Sequence, residues 1–182
     1  APTLSPPPRL IATPARLAEV QSYRDHDPYL RQMISRTYNQ AEALLHVSPH
    51  VAKRSGSGFL HDSRTYFENI TTLALAYRLG GDARCADRAI AEMEAAVALE
   101  TWHPSHMLGV AETAAAVAFG YAWLYARVTG EQREHLAARL IELGCKPLSV
   151  RDNWWRTRTH NWNQVCHAGQ MLAAIAVAES DP

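Results

Sequence analysis

The side chains best suited to chemistry lie together in one run, Asp152-Asn-Trp-Trp-Arg-Thr-Arg-Thr-His-Asn-Trp-Asn-Gln-Val-Cys-His-Ala-Gly169, with Arg151 directly before it. Indole faces such as those of Trp154, Trp155 and Trp162 can stack on the apolar face of a sugar ring. The amides of Asn161 and Asn163 and the planar guanidinium groups of Arg156 and Arg158 can donate to carboxylate or sulfate oxygens. Aromatic platforms beside amides and cations suit an acidic sugar. Each residue also has a plainer reading: the Trp rings as packing, the Arg heads as solvated charge, His167 as a hydrogen-bonded helix residue. Asn161, with Gln164 three residues on, could be the N-cap of the last helix. The two readings of Asn161 are compatible, because a helix N-terminus presents free N–H groups that favour a carboxylate.

A second polar-aromatic segment, Trp102-His-Pro-Ser-His106, adds Trp102, His103 and His106 as candidate substrate-binding residues. His103 and His106 stand three residues apart, a spacing that could hold a metal. No third ligand accompanies them, so cleft lining is the better reading and no metal or cofactor is expected. Cys85, Cys145 and Cys166 are widely spaced, form no zinc pattern and read as small buried apolar residues, with one disulfide left open.

Composition narrows the partners. Lys+Arg and Asp+Glu both number 18 in 182 residues, which removes the electrostatic basis for nucleic-acid binding. Any acidic ligand must be held by a local cluster. The longest apolar stretch, Ala114 to Leu124, is too short to span a bilayer. The chain begins at Ala1 without a signal-peptide pattern, which fits a processed periplasmic or secreted protein, or a trimmed chain.

The elements that must position these residues read as helices throughout. Residues 1–12 form an extended proline-rich lead-in, and 13–182 a single helical unit. Thr13-Pro14 opens a short helix to about Tyr23. Pro28 opens a longer one with Leu30, Ile34, Ala41, Leu44 and Leu45 on its apolar face. Ser48 to Gly58 reads as a mobile loop. Ser63 to Leu79 is helical and ends at Gly80-Gly81. Asp82 starts the next helix, with Ala86, Ala89, Ile90, Met93 and Val97 inward. Met107 to Val128 is apolar on nearly all sides and reads as a central helix. Thr129 and Gln132 form a capping box for a helix ending at Gly144. The final helix starts near Trp162 and is expected to bury Val165, Ala168, Leu172, Ala176 and Val177. No strand is expected. Helix, short turn and helix in repetition imply antiparallel hairpins. About three fit in this length, half of what a closed six-hairpin α/α toroid needs.

Three blocks carry a family resemblance: Leu73-Ala-Leu-Ala-Tyr-Arg-Leu-Gly-Gly-Asp82; Trp102-His-Pro-Ser-His-Met-Leu-Gly-Val-Ala-Glu112 with Gly120-Tyr-Ala-Trp-Leu-Tyr125; and Asn161-Trp-Asn-Gln-Val-Cys-His-Ala-Gly169. In order and spacing the chain resembles, from Arg9 on, the N-terminal helical part of heparinase II/III-like polysaccharide lyases. The last block is the most specific. The resemblance implies an (α/α) toroid followed by β-sandwich domains, and β-elimination at a uronate of a glycosaminoglycan or alginate-like polymer. It places the group that neutralises the uronate carboxylate on Asn161, with His160 beside it. Members often carry two Asn where this chain has His160-Asn161, so the assignment within that pair stays open. It puts the base tyrosine on a later hairpin, beyond Pro182. The missing toroid half and β-sandwich would then be partners of this chain, or its exposed helix faces would self-associate. Two other classes remain compatible: a toroid glycoside hydrolase with paired carboxylates, and a non-catalytic helical module binding glycans or protein.

Overall fold

The computed structural model describes residues 7–179; residues 1–6 and 180–182, the outer part of the lead-in among them, lie outside the described residues. Among the described residues every regular element is helical: α1 (Pro14–Arg24), α2 (Pro28–Leu45), α3 (Phe59–Gly80), α4 (Ala83–Val97), α5 (Leu108–Trp123), α6 (Gly130–Leu140), α7 (Lys146–Ser149) and α8 (Asn161–Val177). No helix among them is long and apolar enough to cross a membrane.

Local chemistry starts and stops most of these helices. Thr13, Asp27 and Asp82 cap α1, α2 and α4, each side chain accepting from first-turn N–H groups, which satisfies donors that have no intrahelical partner. Thr129 and Gln132 form a full capping box at α6. Gly81 ends α3 in the left-handed conformation, φ +78°, which glycine adopts without steric cost.

α5 is the hub. It packs between α3 and α8, while α4 touches α2, α3, α5 and α6. Almost every α5 side chain is buried, including Thr113 and Tyr121, as its all-round apolar sequence requires. Small residues allow close approach. A Cβ on Gly169 of α8 would lie 2.5 Å from the Ala111 carbonyl oxygen of α5, and one on Gly120 would lie 2.6 Å from Ile70 Cγ2 of α3.

Several expectations are corrected. α3 begins at Phe59, after a 3-10 turn over Gly56–Gly58, because Phe59, Asp62 and Ser63 are buried and anchor its first turn. α5 ends at Trp123, ahead of Val128. Gly144 ends nothing: helical structure continues through a π-helical turn, Ile141–Cys145, into α7. Its missing side chain lets Trp102 and Ala114 approach, at 3.2 and 3.0 Å from where a Cβ would stand. The lead-in is not simply extended. Leu10 and Ile11 have positive φ, +54° and +65°, and Leu10 is buried with its carbonyl accepting from Trp123 Nε1 at 2.7 Å.

α8 also buries a different stripe from the expected one. Cys166, Gly169, Ala173, Ala176 and Val177 are buried, Val165 and Leu172 are half-buried, and Ala168 is exposed. Small residues face α5 because the backbones approach closely. The bulkier Leu172 and Ile175, with Met171 at 62% exposure, line an open apolar groove of about 540 Å³.

Candidate functional site

Three helix N-termini meet around the turn at residues 101–107. The first residue of α3, Phe59, packs against the His103 ring at 5.3 Å between centroids. The first turn of α5 packs on the Phe59 ring, since a Cβ on Gly109 would lie 2.8 Å from Phe59 Cδ1. From the first turn of α8, the Trp162 indole packs edge-on to His106 at 5.4 Å and donates from Nε1 to the His106 carbonyl at 2.9 Å. The positive ends of three helix dipoles therefore gather at one end of the molecule, a setting that favours an anion.

The turn holding them is strained. His103 and Met107, neither of them glycine, have φ of +52° and +65°, conformations that cost about 1–3 kcal/mol each and persist only when surrounding contacts over-determine them. Here those contacts include Phe59 on His103 and burial of Met107 among the core residues.

Trp162 is the centre of an aromatic cluster. Besides His106, its ring meets His160 at 5.1 Å and Trp154 at 6.1 Å. Trp154 is 42% exposed, and the Arg158 guanidinium lies 5.8 Å above its ring, within cation–π range. Asn161 is the first residue of α8, exposed, with no side-chain hydrogen bond. The N-cap position belongs to His160, whose side chain caps nothing. The reading of Asn161 as an N-cap is therefore overturned. Its amide is free to meet a ligand, beside a first turn in which the Asn163 N–H donates to the His160 carbonyl at 3.1 Å.

The remaining predicted residues divide. Trp102 and Trp155 are 1% and 0% exposed and present no ring face to a sugar. Trp102 Nε1 donates to the Ala96 carbonyl at the end of α4, and Trp155 packs on His167 at 4.8 Å. They were expected as platforms and are core residues, since a large ring beside apolar helices gains more from burial than from water. Arg156 is corrected likewise. It donates to the carbonyls of Leu148 and Val150 and to Gln170 Oε1, with its head over Trp155, which ties α7 to α8 instead of offering a clamp. Asn163 donates to the Arg156 carbonyl at 2.6 Å and to the Trp155 carbonyl at 3.5 Å, both in a 3-10 turn over Trp154–Thr157. Arg158, Trp154, Trp162, His160, Asn161 and His106 are thus brought together, and His103 faces the opposite flank of the turn.

On that flank lies a feature the sequence concealed. Residues 48–55, expected to be a mobile loop, are strapped to α3 and α4 by two fully buried carboxylates. Asp62 accepts from His50 Nε2 at 3.0 Å and from the backbone N–H and guanidinium of Arg54 at 3.0 and 3.2 Å. Glu92 accepts from the His50 backbone N–H, Asn69 Nδ2 and Arg88 Nη1 at 3.0, 2.9 and 2.7 Å. Buried carboxylates demand such partners. Tyr66 donates to the His50 carbonyl. Burial, with the charges of Glu92 and Asp62 adding to it, pushes its hydroxyl up to about 12 against a backbone bond from Ala52. The one available signal was chemical: Asp62 and Glu92 fall at positions that the helical period turns inward.

No disulfide joins Cys85, Cys145 and Cys166. Burial pushes Cys166 up to about 12, so it stays an unreactive thiol. Among the described residues no three His, Cys, Asp or Glu side chains are grouped to hold a metal ion. No protein-family model matches the chain, and no curated protein matches it.

Proposed function

We propose that this chain carries the charge-neutralising side of a uronate lyase site. The observation that carries the reading is the exposed Asn161 amide, unused by the fold, at a helix N-terminus beside His160 and the Trp154–Trp162 faces. A sugar stacked on these rings would present its C5 carboxylate to Asn161 Nδ2 and the first-turn N–H groups, with Arg158 alongside. Neutralising that carboxylate acidifies the C5 proton, and its removal forms the C4=C5 double bond as the C4–O bond breaks. His160, next to Asn161, is the alternative neutralising group of the pair.

The packing of α3, α5 and α8 side by side, with α2, α4 and α6 against them, supports the reading of a partial α/α toroid. The base is a tyrosine outside these residues. Tyr66 does not serve, being fully buried and bonded to the strap. Paired-carboxylate hydrolysis is less well supported, since Asp62 and Glu92 are buried and held by donors. As a periplasmic or secreted enzyme it would act on an acidic polysaccharide.

The test is the product. Incubation of uronate polymers with a form of the protein that also supplies the base tyrosine should generate a conjugated, ultraviolet-absorbing unsaturated end, and residues 1–182 alone little of it. New reducing ends without conjugation would sink the lyase reading in favour of hydrolysis.

A further inference from the structure

The strap and the 101–107 turn enclose a second feature. A cavity of about 280 Å³ is lined by Lys53, Arg54 and Ser55 on one side and by Glu100, Thr101 and His103 on the other, over a floor that includes Phe59. It adjoins a further hollow of about 400 Å³ in which Lys53 and Arg54 recur with His50 and Asp62.

We propose that this trough is an oxyanion subsite for an acidic sugar residue, with the Lys53 ammonium as its charge. It rests on the reading of the Asn161 cluster as the cleavage site, and it extends that cleft across the turn from His106 to His103.

Three observations carry it. The guanidinium of Arg54 is paired with Asp62, whereas Lys53, its exposed neighbour, has no ion pair among the described residues. An irregular segment is held in place by two buried carboxylates, a costly arrangement for a surface loop that did nothing. The opposite wall is His103, held at φ +52° with its ring against Phe59. Strained residues at such walls are found where ligands are gripped. The polar lining is mixed as a sugar requires. Lys53 meets a carboxylate or sulfate, Ser55 and Thr101 exchange hydrogen bonds with ring hydroxyls, and Glu100, without an ion pair among the described residues, accepts from a hydroxyl.

The charges make opposite predictions. In calorimetric titration of the 182-residue chain, with an unsulfated hexuronate trisaccharide and a sulfated hexuronate–hexosamine disaccharide as probes, Lys53→Ala should weaken binding roughly tenfold. Lys53→Arg should restore most of it, and Glu100→Gln should tighten it by lifting repulsion of the anion. Whichever probe shows the larger Lys53 dependence identifies the oxyanion as carboxylate or sulfate. Lys53 and Glu100 are exposed, so the thermal midpoint should stay unchanged in all three variants and loss of fold cannot imitate the result. Equal affinity of Lys53→Ala and the parent for both probes would overturn the proposal, as would weaker binding in Glu100→Gln. A Lys53-dependent titration together with new reducing ends and no conjugated product from uronate polymers would keep the subsite and discard the lyase reading.

Discussion

The indole of Trp162 and the backbone of His106 are joined by a hydrogen bond of 2.9 Å, fifty-six residues apart in sequence. That bond fixes the N-terminus of α8 to the turn that precedes α5, and with it the position of Asn161. Trp162→Phe keeps most of the ring contact and removes the donor. The loss should be about 1 kcal/mol, a drop of roughly 2–4 °C in thermal midpoint for a chain of this length. An unchanged midpoint would mean that the ring contacts alone hold the corner.

Asn161 and Asn163, two residues apart, should separate function from stability. Asn163 donates to the Arg156 carbonyl, so Asn163→Ala should cost about 1 kcal/mol. Asn161 makes no such bond and is exposed, so Asn161→Ala should shift stability by less than about 0.5 kcal/mol. It should still abolish most binding or turnover of uronate substrates. Chemical denaturation beside calorimetric titration reads both effects; destabilisation by Asn161→Ala with binding intact would reverse the assignment.

Glycine substitutions should differ sharply by position. A Cβ at Gly169 would stand 2.5 Å from a carbonyl oxygen of α5, and backbone cannot rotate away. Gly169→Ala should destabilise by about 1–3 kcal/mol. Gly130, at the start of α6, meets nothing closer than the Arg133 guanidinium at 4.0 Å. Gly130→Ala should be neutral or stabilise by up to about 1 kcal/mol. Urea midpoints of the two variants test the contrast.

Alkaline pH should unfold the protein through Tyr66. Its folded pKa, about 12, lies above the ordinary tyrosine value of about 10, so the folded state binds the proton more tightly than the unfolded one. The resulting stabilisation is fully present below about pH 10. It is lost as pH rises through about 12. Cys166, raised from 9.0 to about 12, acts with the same sign from a lower starting point. Stability measured against pH should fall more gently above pH 10 in Tyr66→Phe than in the parent; parallel slopes would show that other groups dominate.

The legible parts of the sequence were those governed by neighbours. Thr129 and Gln132 announce a helix start because both bonds of the capping box close within three residues, and Gly81 announces an end because one residue must adopt positive φ. The all-round apolar character of α5 likewise requires helices on every side. The Asp152–Gly169 run displayed its chemistry openly, but not which of its members would face solvent. Trp154 and Trp155 are adjacent and chemically identical, yet one is 42% exposed and the other 0%, because the 3-10 turn they share points them in different directions.

By itself the sequence determined an all-helical fold among the described residues and most helix starts, since these follow from backbone propensity and hydrogen bonds between near neighbours. Only the tertiary structure decided which stripe of α8 is buried, that Gly144 is a contact and not a terminus, and that Asp62 and Glu92 hold residues 48–55. Those outcomes depend on pairings such as His50 with Glu92, forty-two positions apart. Burial turns such pairings from optional to obligatory, because a carboxylate removed from water must find donors wherever the packed chain supplies them.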